Sequence, residues 1–471
     1  MLGFHAVDRS TLGVRLADYS VELTSGPDES PRAAYLDIEQ IVEAARRTGC
    51  EAVHPGYGFL SENADFAQAC AKAGLVFVGP SPECIAQLGN KNQARAVMKA
   101  AELPLVPGSD GPCCDVEEAV RLAREIEFPV LIKAAGGGGG RGMRRAYSEE
   151  ELRVGFDQAR REAKAAFGTD SVYLEKYVAR PRHVEIQILA DTHGHVIHLG
   201  ERECSVQRRF QKMLEESPSP FLDEQTRKAM GDAAVRGAKA AGYTSAGTFE
   251  FLVDEKKNFY FLEVNTRLQV EHPVTEEVTG VDIVAEQLRI ASGLELKLRQ
   301  EDIRPRGWSI ECRITCEDPD SGFRPSVGKV QGLRLPSGPG VRVDTHLYQG
   351  YQVPNDFDSM LAKLIVTAAD RESAIRRTLA ALDEFELAGF ATSIPFHQWL
   401  LSHPRFVDGD FSTHFLEEEF DGLPQADVQA EDLLTVAAVI RHTCQQAGNG
   451  VDEKVQSRSN WAQASRLSGV R

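Results

Sequence analysis

The sequence predicts a multidomain protein of mixed α/β and α+β class. Its 471 residues exceed the size of one compact core and correspond to roughly three domains of about 150 residues each. In the first part, helix-like segments alternate with short apolar strand-like segments, which is typical of an α/β domain. After about residue 305, consecutive β-like segments rich in Gly and Pro precede a helix, which indicates an α+β domain.

Residues 1–88 are predicted to form the N-terminal α/β domain. Helices are expected at 38–49 and 63–74, with short strands at 51–56 and 75–80. The segment 5–8 looks like the end of a strand that has no earlier strand to pair with. We therefore expect this domain to lack its own beginning.

Residues 89–305 are predicted to form the second domain. A small lobe at about 106–178 is expected to contain helices at 116–126 and 149–167 and strands at 128–134 and 172–178. A larger sheet follows it, with strands expected at 183–191, 195–205, 248–253 and 259–265. Residues 306–420 are the predicted α+β domain, and 421–471 form an acidic and polar tail that we interpret as a tail or partner-docking segment.

Composition excludes several functional classes. With 53 Lys and Arg against 70 Asp and Glu, the formal net charge of −17 repels phosphate backbones and anionic lipid, so we expect no nucleic-acid and no membrane partner. The sequence has no apolar stretch of about 18 residues and no signal-peptide features at its start, which predicts a cytoplasmic protein. The nine cysteines include no C-x-x-C pair and are expected to be reduced thiols.

A glycine-rich segment, AAGGGGGRGM at residues 134–143, follows a predicted strand and precedes a helix. Glycines allow close approach of the backbone, whose N–H groups then bind an anion such as phosphate. A flexible linker is the alternative for a run of glycines. Lys133 and Arg141 favour the phosphate site, because both can neutralise phosphate charge.

Three oxygen-bearing side chains are predicted to converge on a hairpin. If residues 254–258 form its loop, Glu250 lies opposite or within one residue of Glu263, and Asn265 shares a face with Glu263. Two carboxylates and an amide are suited to a hard Mg²⁺ or Mn²⁺ ion that also takes phosphate oxygens. A polar strand face is the alternative.

The same alternation continues through Arg267, Gln269 and Glu271. An arginine that binds a small oxyanion beside a carboxylate that removes its proton is an arrangement for general-base chemistry, and a surface ion pair is the alternative. A second group of basic residues is expected to form a local basic patch that attracts phosphate. These residues are Arg202, Arg208, Arg209 and Lys212.

Longer motifs occur in a characteristic order along the chain. They are HPGYGFLSEN, KAAGGGGGRGM, YLEKYV followed by RHVEIQ, ERECSVQRR, GTFEF, FLEVNTRLQVEHPVTE and ECRIT followed by EDP. Together they resemble the biotin carboxylase family of ATP-grasp enzymes, over nearly all of the chain up to about residue 420. The resemblance implies an ATP-grasp fold with an N-terminal α/β domain, a mobile lid lobe closing over ATP, and a C-terminal α+β domain.

The resemblance also assigns roles to residues of this chain. It implies ATP contacts from Lys91, Lys133, Gly139, Gly140, Met143, Glu175, Lys176, Tyr177, Val178, His183 and Gln207. It implies two Mg²⁺ or Mn²⁺ ions bound by Glu250, Glu263 and Asn265. Bicarbonate would contact Lys212, Arg267, Gln269 and the Val270 backbone, with Glu271 as its base. Biotin would contact Arg313, which steadies its ureido oxygen, and Tyr57.

The implied reaction is attack of bicarbonate on the γ-phosphate of ATP, giving carboxyphosphate and ADP, and then carboxylation of biotin at N1. The sequence contains no A-M-K-M-like biotinylation site, so the biotin is expected on a separate carrier protein. The resemblance also implies carboxyltransferase partners and a homodimer. It does not say whether acetyl-CoA, another acyl-CoA or pyruvate finally receives the carboxyl group.

Two departures from the family keep alternatives open. The family begins with a strand and helix that are missing here, and Phe210 stands where the family has a polar residue, often His, that touches the nucleotide. One alternative is therefore a truncated, inactive paralogue that acts as a binding subunit. Another is a different ATP-grasp ligase that phosphorylates bicarbonate, of the carbamoyl-phosphate type.

Overall fold

The computed structural model describes residues 1–26, 28–109, 111–134, 143–167, 171–424, 433 and 435–442. Residues 1–421 form one compact unit, and the described residues after 421 belong to a second. The helices and strands of the first 90 residues are β1 Leu2–His5, α1 Leu12–Leu16, β2 Ser20–Leu23, α2 Ile38–Arg47, β3 Ala52–Val53, α3 Ala64–Lys72, β4 Val76–Phe77 and α4 Pro82–Gly89.

The N-terminal part differs from the sequence prediction at its first strand. Strand β1 begins before the predicted segment, and residues Ala6–Asp8 form a 3₁₀ turn rather than a strand end. β1 pairs in parallel with the strand that follows it, β2, in the register Leu2 to Ser20. Strands β3 and β4 form a second parallel pair of only two residues each.

The predicted small lobe forms around a three-stranded antiparallel sheet. Its elements, with the helix that precedes it, are α5 Lys91–Ala100, α6 Val116–Ile126, β5 Val130–Ala134, β6 Met143–Ala146, α7 Glu149–Phe167 and β7 Val172–Lys176. The sheet has β5 in the centre between β6 and β7. Ile132, Leu152 and Leu174 are buried together in its core. The two helices match the predicted bounds because each carries an apolar residue every three or four positions.

An eight-stranded antiparallel sheet lies at the centre of the molecule. The elements of its first half are β8 Arg182–Ala190, β9 Val196–Arg208, β10 Gln211–Ser217, α8 Glu224–Ala240, β11 Ser245–Val253, β12 Phe259–Asn265, α9 His272–Thr279 and α10 Ile283–Ala291. The strand order begins β12, β11, β8, β9, β10. Helix α8 packs on β8 and β9, and the core beneath it contains a buried aromatic group of Phe249 and Phe251 from β11 and Phe261 from β12.

The C-terminal segment extends the same sheet. Its elements are β13 Trp308–Thr315, β14 Glu317–Asp318, β15 Arg324–Pro325, β16 Gly332–Arg334, β17 Val341–Thr345, β18 Met360–Ala368, α11 Arg371–Glu384, β19 Glu386–Ala388, α12 Ile394–Ser402, α13 Pro404–Val407 and α14 Phe415–Glu419. Strand β13 pairs with β10, and β18 and β17 complete the sheet. The sheet therefore crosses the predicted boundary at 305–306 without interruption.

Two hairpins bring polar side chains to this sheet. Between β11 and β12, the side chain of Asp254 accepts hydrogen bonds from the N–H groups of Lys256 and Asn258, which closes the loop at the predicted residues 254–258. Between β9 and β10, Arg209 and Phe210 form a two-residue turn with φ of 50° and 67°. Positive φ at both central residues is the geometry of a type I′ hairpin turn.

No helix among the described residues is both long enough and apolar enough to cross a membrane.

Candidate active site

A row of charged side chains crosses four strands of the central sheet. Glu250 on β11 lies directly opposite Glu263 on β12, as the sequence predicts, and also directly opposite Glu185 on β8. Glu185 in turn lies opposite Arg202 on β9. Directly paired residues point to the same face of a sheet, so these four side chains are neighbours. Glu185, Glu250 and Arg202 are buried, whereas Glu263 is exposed.

Asn265, the third predicted metal ligand, contacts this row. Its Nδ2 donates a hydrogen bond of 2.8 Å to Oε1 of Glu250. Rotation of the amide by 180° would present its oxygen at the same place, so the donor set suits a hard divalent cation. The prediction that the three side chains converge is confirmed for Glu250 with both of its partners.

The alternation of polar residues from 267 to 271 lies beyond the strand. Strand β12 ends at Asn265, and Glu271 is already the N-cap residue of helix α9. Arg267 still reaches the same region, because its Nη1 donates to Oε1 of Gln269 at 3.1 Å and its Nη2 to Oδ1 of Asn265 at 3.4 Å. Glu62, from the N-terminal part, binds the Nε of Arg267 at 2.9 Å and so fixes this loop.

Lys212 is surrounded by three carboxylates. Its Nζ lies 2.6 Å from Glu271, 2.7 Å from Glu185 and 3.0 Å from Glu250. Burial alone would lower the pKa of Lys212, but Cys204 and the three acids hold it well above its usual range. Burial would likewise raise the pKa of Glu271, yet Lys212, Arg313 and Arg202 hold it well below the usual range. Both groups are therefore charged.

Arg313 joins this cluster from strand β13. Its Nη2 lies 3.1 Å from Oε2 of Glu271, and its Nε donates to Oε1 of Glu215 at 2.7 Å. The guanidinium fork thus binds two carboxylates at once, which fixes its orientation. Arg313, Lys212 and Glu271 form one connected set of charges.

His183 and Gln207, both assigned to ATP by the resemblance, contact each other behind the acid row. Gln207 Nε2 lies 2.6 Å from Nδ1 of His183, and Nε2 of His183 lies 3.0 Å from Glu250. Burial would lower the pKa of His183, but Glu250 raises it above its usual value. His183, Glu185 and Glu250 also bring three potential metal-ligand atoms within 4.8 Å of one another.

A cavity of about 660 Å³ opens beside this set of charges. It gathers five of the residues to which the resemblance assigns bicarbonate or biotin: Tyr57, Lys212, Arg267, Val270 and Arg313. Its aromatic wall is formed by Tyr35, Phe59 and Phe357, whose ring centroids lie 5.2 to 6.4 Å apart. Cationic groups on one wall and aromatic rings on another suit a ligand with an anionic end and an apolar body.

The remaining ATP-assigned residues lie on or near the small lobe. Lys133 on β5 forms an ion pair with Glu175 on β7, and Arg95 lies 3.8 Å from the same carboxylate. Lys176 donates to the carbonyl of Glu127 at 3.0 Å. Tyr177 and Val178 follow β7, Lys91 is the first residue of α5, and Met143 is the first residue of β6. Gly139 and Gly140 lie outside the described residues.

Two residues of the predicted basic patch are paired with carboxylates instead. Arg202 is buried beside Glu185 and Lys212 is half-buried among three acids, and the Arg208 guanidinium lies 4.4 Å over the ring of Phe323. Burial requires these cations to be paired, which the sequence alone did not reveal. Phe210 lies at the β9–β10 turn with 75% of its surface exposed.

Sequence reasoning missed four residues that hold the site together: Glu62, Glu185, Glu215 and Lys363. The sequence did contain an indication of Glu185, because it is two residues from His183 in the motif RHVEIQ and therefore lies on the same face of the strand. Lys363 donates to the carbonyl of Val270 at 2.8 Å. It lies opposite Arg313 on β18, a pairing across a large sequence separation that the sequence does not indicate.

Three protein families match the chain in succession. Residues 2–85 match the biotin carboxylase N-terminal domain, and 311–418 match the biotin carboxylase C-terminal domain. Residues 90–299 match the ATP binding domain of the carbamoyl-phosphate synthase L chain. Biotin carboxylase 1 of Bacillus subtilis is 53% identical over 415 residues, which are 88% of this chain and 92% of that protein. Biotin carboxylase of Pseudomonas aeruginosa is 51% identical over 413 residues, covering 88% and 91%.

Solved structures of similar proteins have the same fold. The biotin carboxylase domain of a thermophilic 2-oxoglutarate carboxylase bound to bicarbonate is 46% identical, with a TM-score of 0.86 over 90% of this chain and 93% of that one. A biotin carboxylase complex with a β,γ-ATP compound from Campylobacter jejuni is 45% identical, with a TM-score of 0.80 over 88% and 92%. This ATP-grasp chain belongs to the biotin carboxylase family of ATP-dependent ligases.

Proposed function

We propose that this chain carboxylates biotin on a separate carrier protein, using ATP and bicarbonate and passing through carboxyphosphate. The observation that carries the proposal is the convergence of Lys212, Arg267 and Arg313 on one cavity, with Glu271 held between two of these cations. A cationic wall next to a fixed carboxylate suits an oxyanion that must lose a proton.

Bicarbonate would bind between Lys212, Arg267 and the N–H of Val270. Gln269, which accepts a hydrogen bond from Arg267, would also contact bicarbonate. Glu271 is ionised, because the pKa of its carboxyl is held well below the usual range, and it can therefore accept the bicarbonate proton. The same cations would lower the pKa of bicarbonate bound among them, which brings the two groups closer in basicity. The deprotonated oxyanion then attacks the γ-phosphate of ATP.

Biotin would occupy the rest of the cavity. Arg313 lines it and presents a guanidinium already oriented by Glu215 and Glu271. A preoriented cation stabilises the negative charge that develops on the ureido oxygen when biotin N1 loses its proton. Tyr57, 39% exposed, would contact the bicyclic ring. Carboxyphosphate would decompose to CO₂ and phosphate, the phosphate would take the proton of biotin N1, and N1 would then bind the CO₂.

ATP would bind between the small lobe and the central sheet. Lys133, His183, Gln207, Lys91 and the glycine segment would contact its phosphates, and Glu175 to Val178 its adenine. The ion pairs of Glu175 with Lys133 and Arg95 keep these cations oriented before ATP arrives. Closure of the small lobe would exclude water from carboxyphosphate, which hydrolyses readily.

A divalent cation fits the residues at the edge of the acid row. Glu250 and Glu263 face each other, and the Asn265 amide contacts Glu250, so carboxylate and amide oxygens are available together. We propose two Mg²⁺ or Mn²⁺ ions held by these three side chains. When bound, they supply positive charge that neutralises the phosphate oxygens of ATP.

The proposed partners follow from this reaction. Biotin would be presented by a biotin carboxyl carrier protein, and carboxyltransferase subunits in the cytoplasm would use the product. We also propose a homodimer. A dimer is named for the biotin carboxylase domain of Hydrogenobacter thermophilus 2-oxoglutarate carboxylase, which is 47% identical to this chain.

ADP release in the presence of ATP, Mg²⁺, bicarbonate and free biotin tests the proposal. We expect release that requires bicarbonate and increases with biotin. The folded protein should show no such release when Glu271 is replaced by Gln, and absence of release in the unmodified protein with every ligand present would contradict the proposal.

A carbamoyl-phosphate type of ligase is the second candidate, because residues 90–299 match the ATP binding domain of that class. The flanking matches to both biotin carboxylase domains favour biotin as the acceptor. Stimulation of ADP release by ammonia, without an effect of biotin, would instead support the second candidate. An inactive binding subunit would bind the carrier without ATPase activity, and the paired Lys212 and Glu271 argue against it.

A further inference from the structure

A pair of glutamates lies next to Arg313: Glu215, which orients its guanidinium, and Glu311, which has no role in the reaction above. Glu215 on β10 and Glu311 on β13 are directly opposite each other across two antiparallel strands. Both side chains are fully buried. Directly opposed side chains have Cβ atoms about 4.5–5.5 Å apart and point to the same face of the sheet, so the two carboxyl groups are neighbours.

Three oxygens of this pair lack a donor among the described residues. They are Oε2 of Glu215 and both side-chain oxygens of Glu311. The fourth oxygen, Oε1 of Glu215, accepts from Nε of Arg313 at 2.7 Å. Two ionised carboxylates at this place would leave buried charge uncompensated, which is strongly unfavourable. A single proton between them would satisfy an oxygen on each side.

Charged and titratable side chains surround this pair on each of the neighbouring elements. Arg313 lies on the same strand as Glu311, Lys363 on β18, Lys212 on β10, and Cys204 on β9. Helix α9 packs on the same strands and contributes Glu271 and His272 at its start. Lys363 is engaged by the carbonyl of Val270, at 2.8 Å, and by Asp344, at 3.5 Å. Burial lowers the pKa of His272 to about 3, so it is neutral.

We propose that Glu311 is a neutral carboxylic acid that donates its O–H to Oε2 of Glu215, and that this proton positions Arg313 for its role toward biotin. Glu215 then remains a carboxylate, with Oε2 bound to Glu311 and Oε1 bound to Arg313. Loss of the proton would place two negative charges below Arg313 and draw the guanidinium away from Glu271 and the cavity. The positioning role rests on the proposed function, whereas the shared proton does not.

The electrostatics of the site agree with this geometry. Burial raises the pKa of Glu215 to about 7, although Arg313 opposes the rise. Burial raises the pKa of Glu311 well above its usual range, although Lys363 opposes it. A raised carboxyl pKa means that the folded protein binds a proton that the unfolded chain releases above about pH 4.5. The contribution to stability therefore falls as pH rises above about 4.5 and through the raised pKa values of the folded protein.

Glu311→Gln tests the shared proton, because the amide keeps the size of the acid, has no charge and still donates to Glu215. Glu384→Gln, at an exposed position on α11, is the matched control. We expect the infrared spectrum of the ligand-free protein at neutral pH to contain a protonated carboxylic acid band that is lost in Glu311→Gln and retained in the control. An identical band in Glu311→Gln and the unmodified protein would overturn the proposal.

Two further measurements separate positioning from structure. The melting temperature of Glu311→Gln should fall less with rising pH than that of the unmodified protein, and failure of this variant to fold would count against the proposal. The alkaline limb of kcat/KM for biotin should move to higher pH in Glu311→Gln and not in Glu384→Gln. A profile that coincides with that of the unmodified protein would overturn the positioning role. Absence of ADP release from every protein would contradict the proposed function instead, and the infrared result would still decide the shared proton.

Discussion

The ammonium of Lys212 lies 2.6 Å from the carboxylate of Glu271, and this is the shortest of the three ion pairs that Lys212 forms. The two residues come from different elements, β10 and the start of α9. Their contact brings a cation for the oxyanion next to the group proposed to remove its proton. It also ties the loop after β12 to the centre of the sheet.

Replacing Lys212 by Met should destabilise the protein strongly. The substitution keeps the length of the side chain but leaves Glu185, Glu250 and Glu271 without their shared cation, which costs about 3–5 kcal/mol for a buried pair. Urea unfolding measures the decrease in the free energy of unfolding. Lys228→Met is the control, because Lys228 is 74% exposed on its side chain and, among the described residues, forms its ion pair with Asp232. Its loss should cost less than about 1 kcal/mol. Equal effects of the two substitutions would contradict the arrangement.

Glu271→Gln should flatten the acid side of the stability profile. Glu271 has a lowered pKa in the folded protein, so its contribution is present above its ordinary pKa of 4.5 and is lost as pH falls through the lower folded value. The melting temperature of the unmodified protein should therefore drop steeply below about pH 4.5, and that of the variant less so. Parallel curves for the variant and the unmodified protein would show that the neighbours of Glu271 do not lower its pKa in the folded protein.

Arg313→Lys should lower kcat/KM for biotin by roughly 100-fold, the effect of removing one preoriented donor from a developing oxyanion. Lysine keeps the charge but cannot bind Glu215 and Glu271 together in the guanidinium fork. Steady-state ADP release at varied biotin concentrations measures the change. A loss of only two-fold would show that charge alone, without the fork, is sufficient.

Glu263→Gln and Glu250→Gln should separate metal binding from stability. Glu263 is exposed, so its replacement should raise the Mg²⁺ concentration required for activity by about 10-fold or more, with little change in melting temperature. Glu250 is buried with Lys212 and His183, so its replacement should also destabilise the fold. Chelation of divalent cations should abolish ADP release in the unmodified protein. Activity that persists after chelation would contradict the metal site.

Phe210→His tests the position in the β9–β10 turn at which this chain has Phe210 in place of the polar residue, often His, expected from the family resemblance. If the turn reaches the nucleotide, a histidine there adds one hydrogen bond, and the KM for ATP should fall by about 2- to 10-fold. Phe210→Asn provides the control for backbone strain, because asparagine tolerates the φ of 67° better than phenylalanine. Asparagine should raise the melting temperature. An unchanged KM for ATP in Phe210→His would show that this position does not contact ATP.

Local features of this protein could be predicted from its sequence. Periodicity located helices α6 and α7 and strand β12, and the length of the 254–258 loop placed Glu250 opposite Glu263. These features depend on neighbours within a few residues or across one short hairpin, where spacing and turn residues set the geometry. The motifs up to about residue 420 also indicated the biotin carboxylase family.

The way in which the charges pair depends on the tertiary structure. Arg202 and Lys212 look like a basic patch in the sequence, yet the pairing of β8 with β9 and β11, and of β9 with β10, places Arg202 beside Glu185 and Lys212 beside Glu185 and Glu250. Glu215 and Glu311 are 96 positions apart in the chain and meet because β10 pairs with β13. The energy of a charge depends on its burial and on its partners, and both are set by contacts between strands that are distant in the chain.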